Sequence, residues 1–346
     1  MDTSTIASVI RMSRILRILL WLAATLVVLA ILPWLLPRPG IDGTIPDLPF
    51  SDSQFGSIKG IRMHWRQRLP ENAADRPLVV LIHGFGGSGF SWRHTLDALE
   101  RVGYPVIATD LPPFGYSERT GTGPDWPALV LAVADQVGAE QPLVLIGHSM
   151  GAGVAADLAA RVPDRVRLLV MVDGTPGLRR DDSGWSWAFK LPPIGRAAEV
   201  FAAWRLVDPD TISDMLSSAF GRPPTTAELQ GYYAPLTIPG TYPALLRQLA
   251  RRQDPAEGWA RVATTLVWGE HDRWVPIERA HRLLERHPEF LPLRVVDDAA
   301  HNPMDTQPES LNSLLIELIS GQFPLPAARG SGNSDDRPEA HQAQHQ

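Results

Sequence analysis

A chain of 346 residues with 44% hydrophobic residues has room for one large α/β domain with insertions, or for two smaller domains. Its net charge of −6, with no basic face carrying interleaved aromatics, argues against nucleic acid as a partner. The absence of cysteine excludes disulfides, a thiolate nucleophile and thiolate metal sites.

The first predicted element is apolar. Residues 18–36 carry no charge, and Thr25 is the only hydroxyl residue among them. As a helix rising about 1.5 Å per residue, this run spans about 30 Å, the thickness of a hydrocarbon core. Residues 1–37 therefore read as an N-terminal segment with a transmembrane helix at 18–36. Arg11, Arg14 and Arg17 precede the run, and Arg38, Asp42 and Asp47 follow it. By the positive-inside rule the N-terminus is cytoplasmic, and the chain beyond residue 37 is exoplasmic or periplasmic. Trp21 and Trp34 stand near the two ends, where interfacial anchors belong. A cleaved signal peptide is the rival reading. It calls for roughly 7 to 15 apolar residues and a small-residue cleavage site. This run is longer, and Leu32 to Pro37 offers no such site, so an uncleaved anchor is expected. A buried core helix fits less well, because a helix apolar on every side needs burial all round. Residues 38–53 read as a linker that starts with the stiff Pro37-Arg38-Pro39-Gly40.

Strands and helices then alternate. Gln54 to Ile58 and Ile61 to Gln67 read as strands joined at Lys59-Gly60. Leu78 to Ile82, Val106 to Ala108, Leu143 to Ile146 and, apart from Arg167, Val166 to Val172 are apolar strands, as expected for a parallel sheet covered on both faces. Between them, Ser91 to Val102, Trp126 to Gly138 and Gly151 to Arg161 read as helices. This alternation predicts a doubly wound α/β core, its first part at 54–175. From 176 to 258 apolar strand runs are missing. Aromatic residues (Trp185, Trp187, Phe189, Phe201, Trp204 and Phe220 among them) stand in short helical stretches punctuated by prolines, which reads as an inserted helical cap. The core resumes over 259–322, with strands at Thr265 to Trp268 and Leu293 to Val296 and helices at Ile277 to Arg286 and Pro308 to Ile319. Residues 323–346 are rich in Pro, Gly, Ser and Gln without periodicity and are expected to be disordered. In that setting the i, i+4 pair His341 and His345 carries no metal site, and no metal or cofactor is expected elsewhere.

The residues that carry chemistry stand at strand ends. Gly147-His148-Ser149-Met150-Gly151 follows a strand and precedes a helix, the context in which G-x-S-x-G marks an exposed nucleophile on a strained turn. A serine hydroxyl needs a base, and the base needs an orienting acid. His301 follows the last predicted strand and is the candidate base. Asp272 follows the strand before it and is the favoured acid, with Asp173 and Glu270 as rivals. All lie past strand carboxyl ends, the edge where open α/β sheets hold their ligands. His83-Gly84-Phe85-Gly86-Gly87 can offer the Phe85 N–H to an oxyanion, and the Met150 N–H at a helix N-terminus supplies the second donor. His83 is a second imidazole nearby, but its position before the glycines suits bracing that loop.

Together with Asp110-Leu111-Pro112-Pro113-Phe114-Gly115-Tyr116-Ser117, Gly269-Glu270-His271-Asp272 and Ala300-His301, these segments resemble the α/β-hydrolase family, in order across residues 55–322. The resemblance implies a mostly parallel sheet of about eight strands, helices on both faces and a cap after strand six. It also implies a Ser149–His301–Asp272 triad. Pro113 and Ala300 stand where many relatives have glycine. Dehalogenases and epoxide hydrolases of this fold carry Asp at the elbow, so Ser149 points to other branches. The expectation is a serine hydrolase acting on a small lipophilic carboxylic ester, tied to the membrane by its N-terminal helix. A carbon–carbon bond hydrolase or a haloperoxidase-like relative on the same triad is the alternative. A non-catalytic binding module is a further one, although such chains usually lose a triad member. No segment specifies an oligomeric state.

Overall fold

The computed structural model describes residues 3–36, 43–71, 73, 75–120, 123–138, 141–176, 191–206, 208–249 and 258–322. Trp185, Trp187, Phe189, the Pro-Arg-Pro-Gly exit and the C-terminal tail with His341 and His345 lie outside the described residues.

The strands β1 (Ser53–Ile58), β2 (Ile61–Arg68), β3 (Leu78–Ile82), β4 (Val106–Thr109), β5 (Leu143–His148), β6 (Val166–Val172), β7 (Thr264–Gly269) and β8 (Arg294–Val296) form one sheet. Its order is β1-β2-β4-β3-β5-β6-β7-β8. The first two strands make a hairpin. Lys59 and Gly60 both take positive φ there, which matches the right-handed twist of a two-residue turn. β2 pairs antiparallel with β4, and from β4 to β8 every pairing is parallel. Every residue of β3 and β5 is buried, which is why these strands read as unbroken apolar runs.

The period of two along each strand divides the core. Leu78, Val80, Ile82 and Leu145 pack with Val130 and Val133 of α3 (Trp126–Gly138) and Ala155 and Leu158 of α4 (Met150–Arg161). Val79, Leu81, Val144 and Ile146 pack with Leu96 and Leu99 of α2 (Arg93–Arg101) and with Leu311, Leu315 and Ile319 of α11 (Pro308–Gln322). Each fully buried Leu or Val contributes about 1.5–3 kcal/mol of transfer free energy. A one-residue register slip would exchange the two faces wholesale, so the pairing is strongly specified.

Among the described residues, four α-helices lie between β6 and β7: α5 (Pro192–Leu206), α6 (Pro209–Phe220), α7 (Thr226–Tyr233) and α8 (Thr241–Leu249). Their ends are locally encoded. The Asp208 carboxylate accepts from the Asp210 and Thr211 N–H groups and Pro209 opens α6, while Gly221 closes it at φ 68°. Thr225 and Glu228 form a reciprocal capping box at the start of α7. Ile212, Leu216, Phe220 and Tyr232 make a small core of their own, packed on Phe90. The remaining core helices are α9 (Glu278–Arg286) and the one-turn α10 (Pro303–Thr306).

The first helix, α1, runs over Thr3–Leu35. Its apolar stretch Leu16–Leu35 is only 6% buried. A helix of this length, apolar and exposed all round, has the dimensions of a membrane span or of a signal sequence.

Candidate active site

β5 ends at His148 and α4 begins at Met150, so a single residue makes the turn between them. That residue, Ser149, sits at φ 50° and ψ −114°, a conformation that costs a non-glycine residue about 1–3 kcal/mol. The flanking glycines are required by contact. A Cβ on Gly147 would lie 2.3 Å from the Gly151 carbonyl oxygen, and one on Gly151 would lie 2.3 Å from that of Ile82. Gly174, after β6, is constrained in the same way: its Cβ would lie 2.5 Å from the Ser149 carbonyl oxygen. The Ser149 N–H donates to Val172 O at 2.9 Å, which ties the turn to β6.

His301 and Asp272 converge on this serine from loops after β8 and β7. His301 Nε2 lies 3.1 Å from Ser149 Oγ, and His301 Nδ1 lies 2.8 Å from Asp272 Oδ2. The other Asp272 oxygen accepts the N–H groups of Trp274 and Val275 at 2.8 and 2.9 Å. Burial pushes this carboxyl up. The His301 hydrogen bond and charge, with the two N–H donors, outweigh that and hold it below its ordinary value. An ionised Asp272 can only accept, so Nδ1 carries the His301 proton and Nε2 presents its lone pair to Ser149. The Trp274 ring stacks on His301 with centroids 5.3 Å apart. A strand-to-loop contact fixes the relative height of the two loops: a Cβ on Gly269 would lie 2.2 Å from the Ala300 carbonyl oxygen.

The rival acids are engaged elsewhere. Asp173 is buried at φ 47°, its Oδ1 accepts from the Gly269 N–H at 2.8 Å, and its Oδ2 is buried without a hydrogen-bond partner. Burial, followed by the Asp272 charge, raises this carboxyl well above its ordinary value. Glu270 is exposed and accepts the Asp298 N–H at 3.1 Å. Glu270, His271 and Asp298 have ligand atoms within 4.8 Å of one another. All three are exposed, a solvated cluster of a kind common on surfaces.

The glycine-rich loop lies against the serine. A Cβ on Gly84 would lie 2.7 Å from His148 Nδ1 and 3.2 Å from Ser149 Cβ. His83 is buried; its Nε2 accepts from the Leu111 N–H at 3.0 Å and its Nδ1–H donates to Gly84 O at 2.7 Å. Both ring nitrogens thus brace the loop. Among the described residues, neither the Phe85 N–H nor the Met150 N–H donates to a protein acceptor. The Met150 N–H is the first of α4, at the positive end of the helix dipole. The Phe85 ring is half-exposed and meets the edge of Phe114 at 5.3 Å.

Two supporting features escaped the sequence reading. His148 is buried and donates from Nε2 to the His301 carbonyl oxygen at 2.8 Å. Burial, then the nearby His301, lowers its pKa to about 3, so it is a neutral strut. The second feature is a buried polar knot beside His301. Arg93 Nη1 donates to Asp305 Oδ1 at 2.5 Å, and the Tyr232 hydroxyl donates to Asp305 Oδ2 at 2.6 Å. Asn302 Nδ2 donates to the Tyr232 oxygen at 3.3 Å, with Ser91 Oγ 3.1 Å from it. Asn302 and Asp305 flank His301 in sequence, which was the only available signal; Tyr232 comes from the helical insertion.

The profile of the alpha/beta hydrolase family matches residues 79–314. The dihydrolipoyllysine-residue acetyltransferase component of the acetoin cleaving system of Cupriavidus necator is 29% identical over 280 residues, covering 78% of this chain and 69% of that protein. The uncharacterized hydrolase YugF of Bacillus subtilis is 26% identical over 253 residues, 70% of this chain and 90% of that protein. Among solved structures, a membrane phospholipase A described as a bacterial virulence factor aligns with a TM-score of 0.61 at 23% identity, covering 90% of this chain and 99% of that one. With most of the core inside the family profile and an eight-stranded sheet of the matching kind, the chain belongs to the alpha/beta hydrolase family.

Proposed function

We propose that this hydrolase is a membrane-anchored serine hydrolase that cleaves a lipophilic carboxylic ester through an acyl-enzyme. The observation that carries the reading is the chain of contacts from Ser149 Oγ to His301 (3.1 Å) and on to Asp272 (2.8 Å). Ser149 Oγ attacks the ester carbonyl carbon while His301 Nε2 takes the hydroxyl proton. The oxygen of the tetrahedral intermediate accepts from the Phe85 and Met150 N–H groups, each such donor worth about 10²–10³ in rate. Collapse breaks the C–O bond, and His301 returns its proton to the departing alcohol. Water, deprotonated by His301, then splits the acyl-enzyme, and the proton goes back to Ser149 as the acid leaves. Asp272 holds the imidazole in the required tautomer and stabilises its cation.

One observation supports a lipophilic substrate: the half-exposed Phe85 ring follows Gly84, where an added Cβ would lie 3.2 Å from Ser149 Cβ. The apolar α1 supports the anchor, with the arginines before it keeping the N-terminus cytoplasmic and the catalytic domain on the other side.

A fluorophosphonate probe should label the full-length protein at Ser149, and p-nitrophenyl esters of rising chain length should be hydrolysed with a preference for longer acyl groups. A correctly folded protein with no Ser149 adduct overturns the hydrolase reading. Turnover of a vinylogous dienone with no ester hydrolysis moves the reading to carbon–carbon bond cleavage. A reporter fused after residue 50 should read as exoplasmic; a cytoplasmic readout reverses the orientation.

A further inference from the structure

Outside α1, exposed large apolar side chains gather around one helix. Ile194, Phe201 and Trp204 are exposed on α5, and Leu191 is exposed just before it. With the exposed Ala197, the residues 194, 197, 201 and 204 repeat at three- and four-residue spacing, so they form one stripe along the helix. Phe201 is 69% exposed and Trp204 is 56% exposed. Beside the stripe, Val200 and Arg196 are buried. An exposed apolar stripe of this size calls for an apolar neighbour.

The helix that carries the stripe packs against α1. The Arg196 guanidinium stands 5.6 Å from the centre of the Trp34 ring, at the last turn of α1. Pro33 is buried there, while Trp34 and Leu35 remain exposed. Beyond α1 the chain is fastened to the same insertion, where the Gly43 N–H donates to Thr237 O at 3.2 Å. The end of the apolar helix thus lies against α5.

We propose that α5 is a membrane-interface helix, with Phe201 and Trp204 seated in the headgroup–acyl boundary of the bilayer that α1 spans. The proposal rests on α1 being a membrane anchor. Lipid is the fitting occupant for three reasons. Trp and Phe are residues that favour this boundary. Arg205, exposed at the end of α5, can extend its guanidinium to lipid phosphate. The stripe is also narrow, because four side chains of one helix fall short of the roughly 1,200–2,000 Å² that a stable protein interface buries. The consequence for the proposed reaction is that the insertion rests on the leaflet and receives its substrate from lipid.

The absence of cysteine makes a direct test available. Full-length protein carrying a single Val27→Cys, Phe201→Cys or Val295→Cys change is labelled with an environment-sensitive fluorophore. It is then reconstituted into phosphatidylethanolamine–phosphatidylglycerol vesicles, with or without brominated acyl chains. Quenching at 27 and 201 should exceed that at 295, on the β8 edge, by at least about threefold. Quenching at 27 with position 201 no different from 295 overturns the proposal and leaves the anchor standing. No quenching at 27 overturns both. Position 201 shielded from brominated lipid, with energy transfer between labelled copies that falls on dilution in lipid, makes the stripe a self-association face and overturns the proposal too. These arms require no enzymatic activity. In an activity arm, Phe201→Ser combined with Trp204→Ser should lower hydrolysis of a vesicle-borne long-chain ester about tenfold and leave a soluble acetate ester unchanged. An equal fall on both substrates overturns it.

Discussion

The sheet rim that carries Ser149, Asp272 and His301 and the helical insertion that stands between β6 and β7 are built on different terms. At the rim almost every group is buried and committed. Asp272 holds three hydrogen bonds, His148 braces the His301 carbonyl, and at Gly147, Gly151 and Gly269 the neighbouring backbone leaves no room for a Cβ. In the insertion, α6 and α7 are capped and knotted to the core, but α5 buries Val200 and Arg196 and exposes a Phe–Trp stripe beside them. The contrast teaches that alignment for chemistry is over-determined by the sheet, whereas contact with surroundings is left to the part of the fold with packing to spare.

The sharpest way to break this division is at the serine. Ser149→Ala should lower kcat by about 10⁶-fold with the fold intact, measured by ester hydrolysis beside a thermal melt. A modest loss would mean that the rim does not do the chemistry. Next in size, Asp272→Asn should cost about 10⁴-fold in kcat, because the amide favours the wrong His301 tautomer. Asp173→Asn should leave kcat within a few-fold of the parent protein. The reverse pattern would transfer the acid's role to β6.

The knot at the boundary of the two regions comes third. Asp305→Ala leaves the Arg93 guanidinium without its 2.5 Å partner and should cost about 3–5 kcal/mol of stability in urea unfolding. Tyr232→Phe removes one buried hydrogen bond and should cost about 1–2 kcal/mol. If neither variant loses stability, the insertion is held by its apolar core alone.

The smallest effect reads the electrostatics of the rim. The Asp173 carboxyl is raised well above its ordinary 3.8 in the folded protein, so the fold binds that proton more tightly than the unfolded chain does. Its stabilisation is complete below about pH 4 and is lost as pH climbs toward the folded value. Asp173→Asn has nothing to lose, so its Tm relative to the parent protein should rise with pH above about 4. Asp272 has the opposite sign: its lowered pKa adds stability above the ordinary 3.8, which disappears as the solution is acidified through the folded value. The Tm deficit of Asp272→Asn should therefore shrink in acid.

Much of the rim was legible in the sequence because its constraints are local. Apolar runs marked β3, β5 and β6, and Gly147 and Gly151 marked the turn. Boundaries moved by up to three residues, as at α2, which starts at Arg93 rather than Ser91, and at α11, which runs on to Gln322 rather than ending at Ile319. The polar knot was not legible. Tyr232 and Asp305 are 73 positions apart, and a hydrogen bond between distant loops leaves no periodic trace. His148 was hidden inside the elbow pattern, where any residue is allowed. The aromatics of the insertion were visible, but periodicity finds an apolar face without telling what covers it, so Phe201 and Trp204 read only as part of a helical cap.

The link from Tyr232 to Asp305 also divides the molecule in time. α7 cannot swing away without taking the Tyr232 hydroxyl from the buried Asp305 carboxyl, so opening of α6 and α7 is coupled to the turn bearing His301. Their amides should exchange with solvent as slowly as those of the core, while α5 can fray on its own at low cost. On the proposed lipid contact of α5, substitutions in residues 191–206 would retune that contact without disturbing the distance between the serine and the histidine.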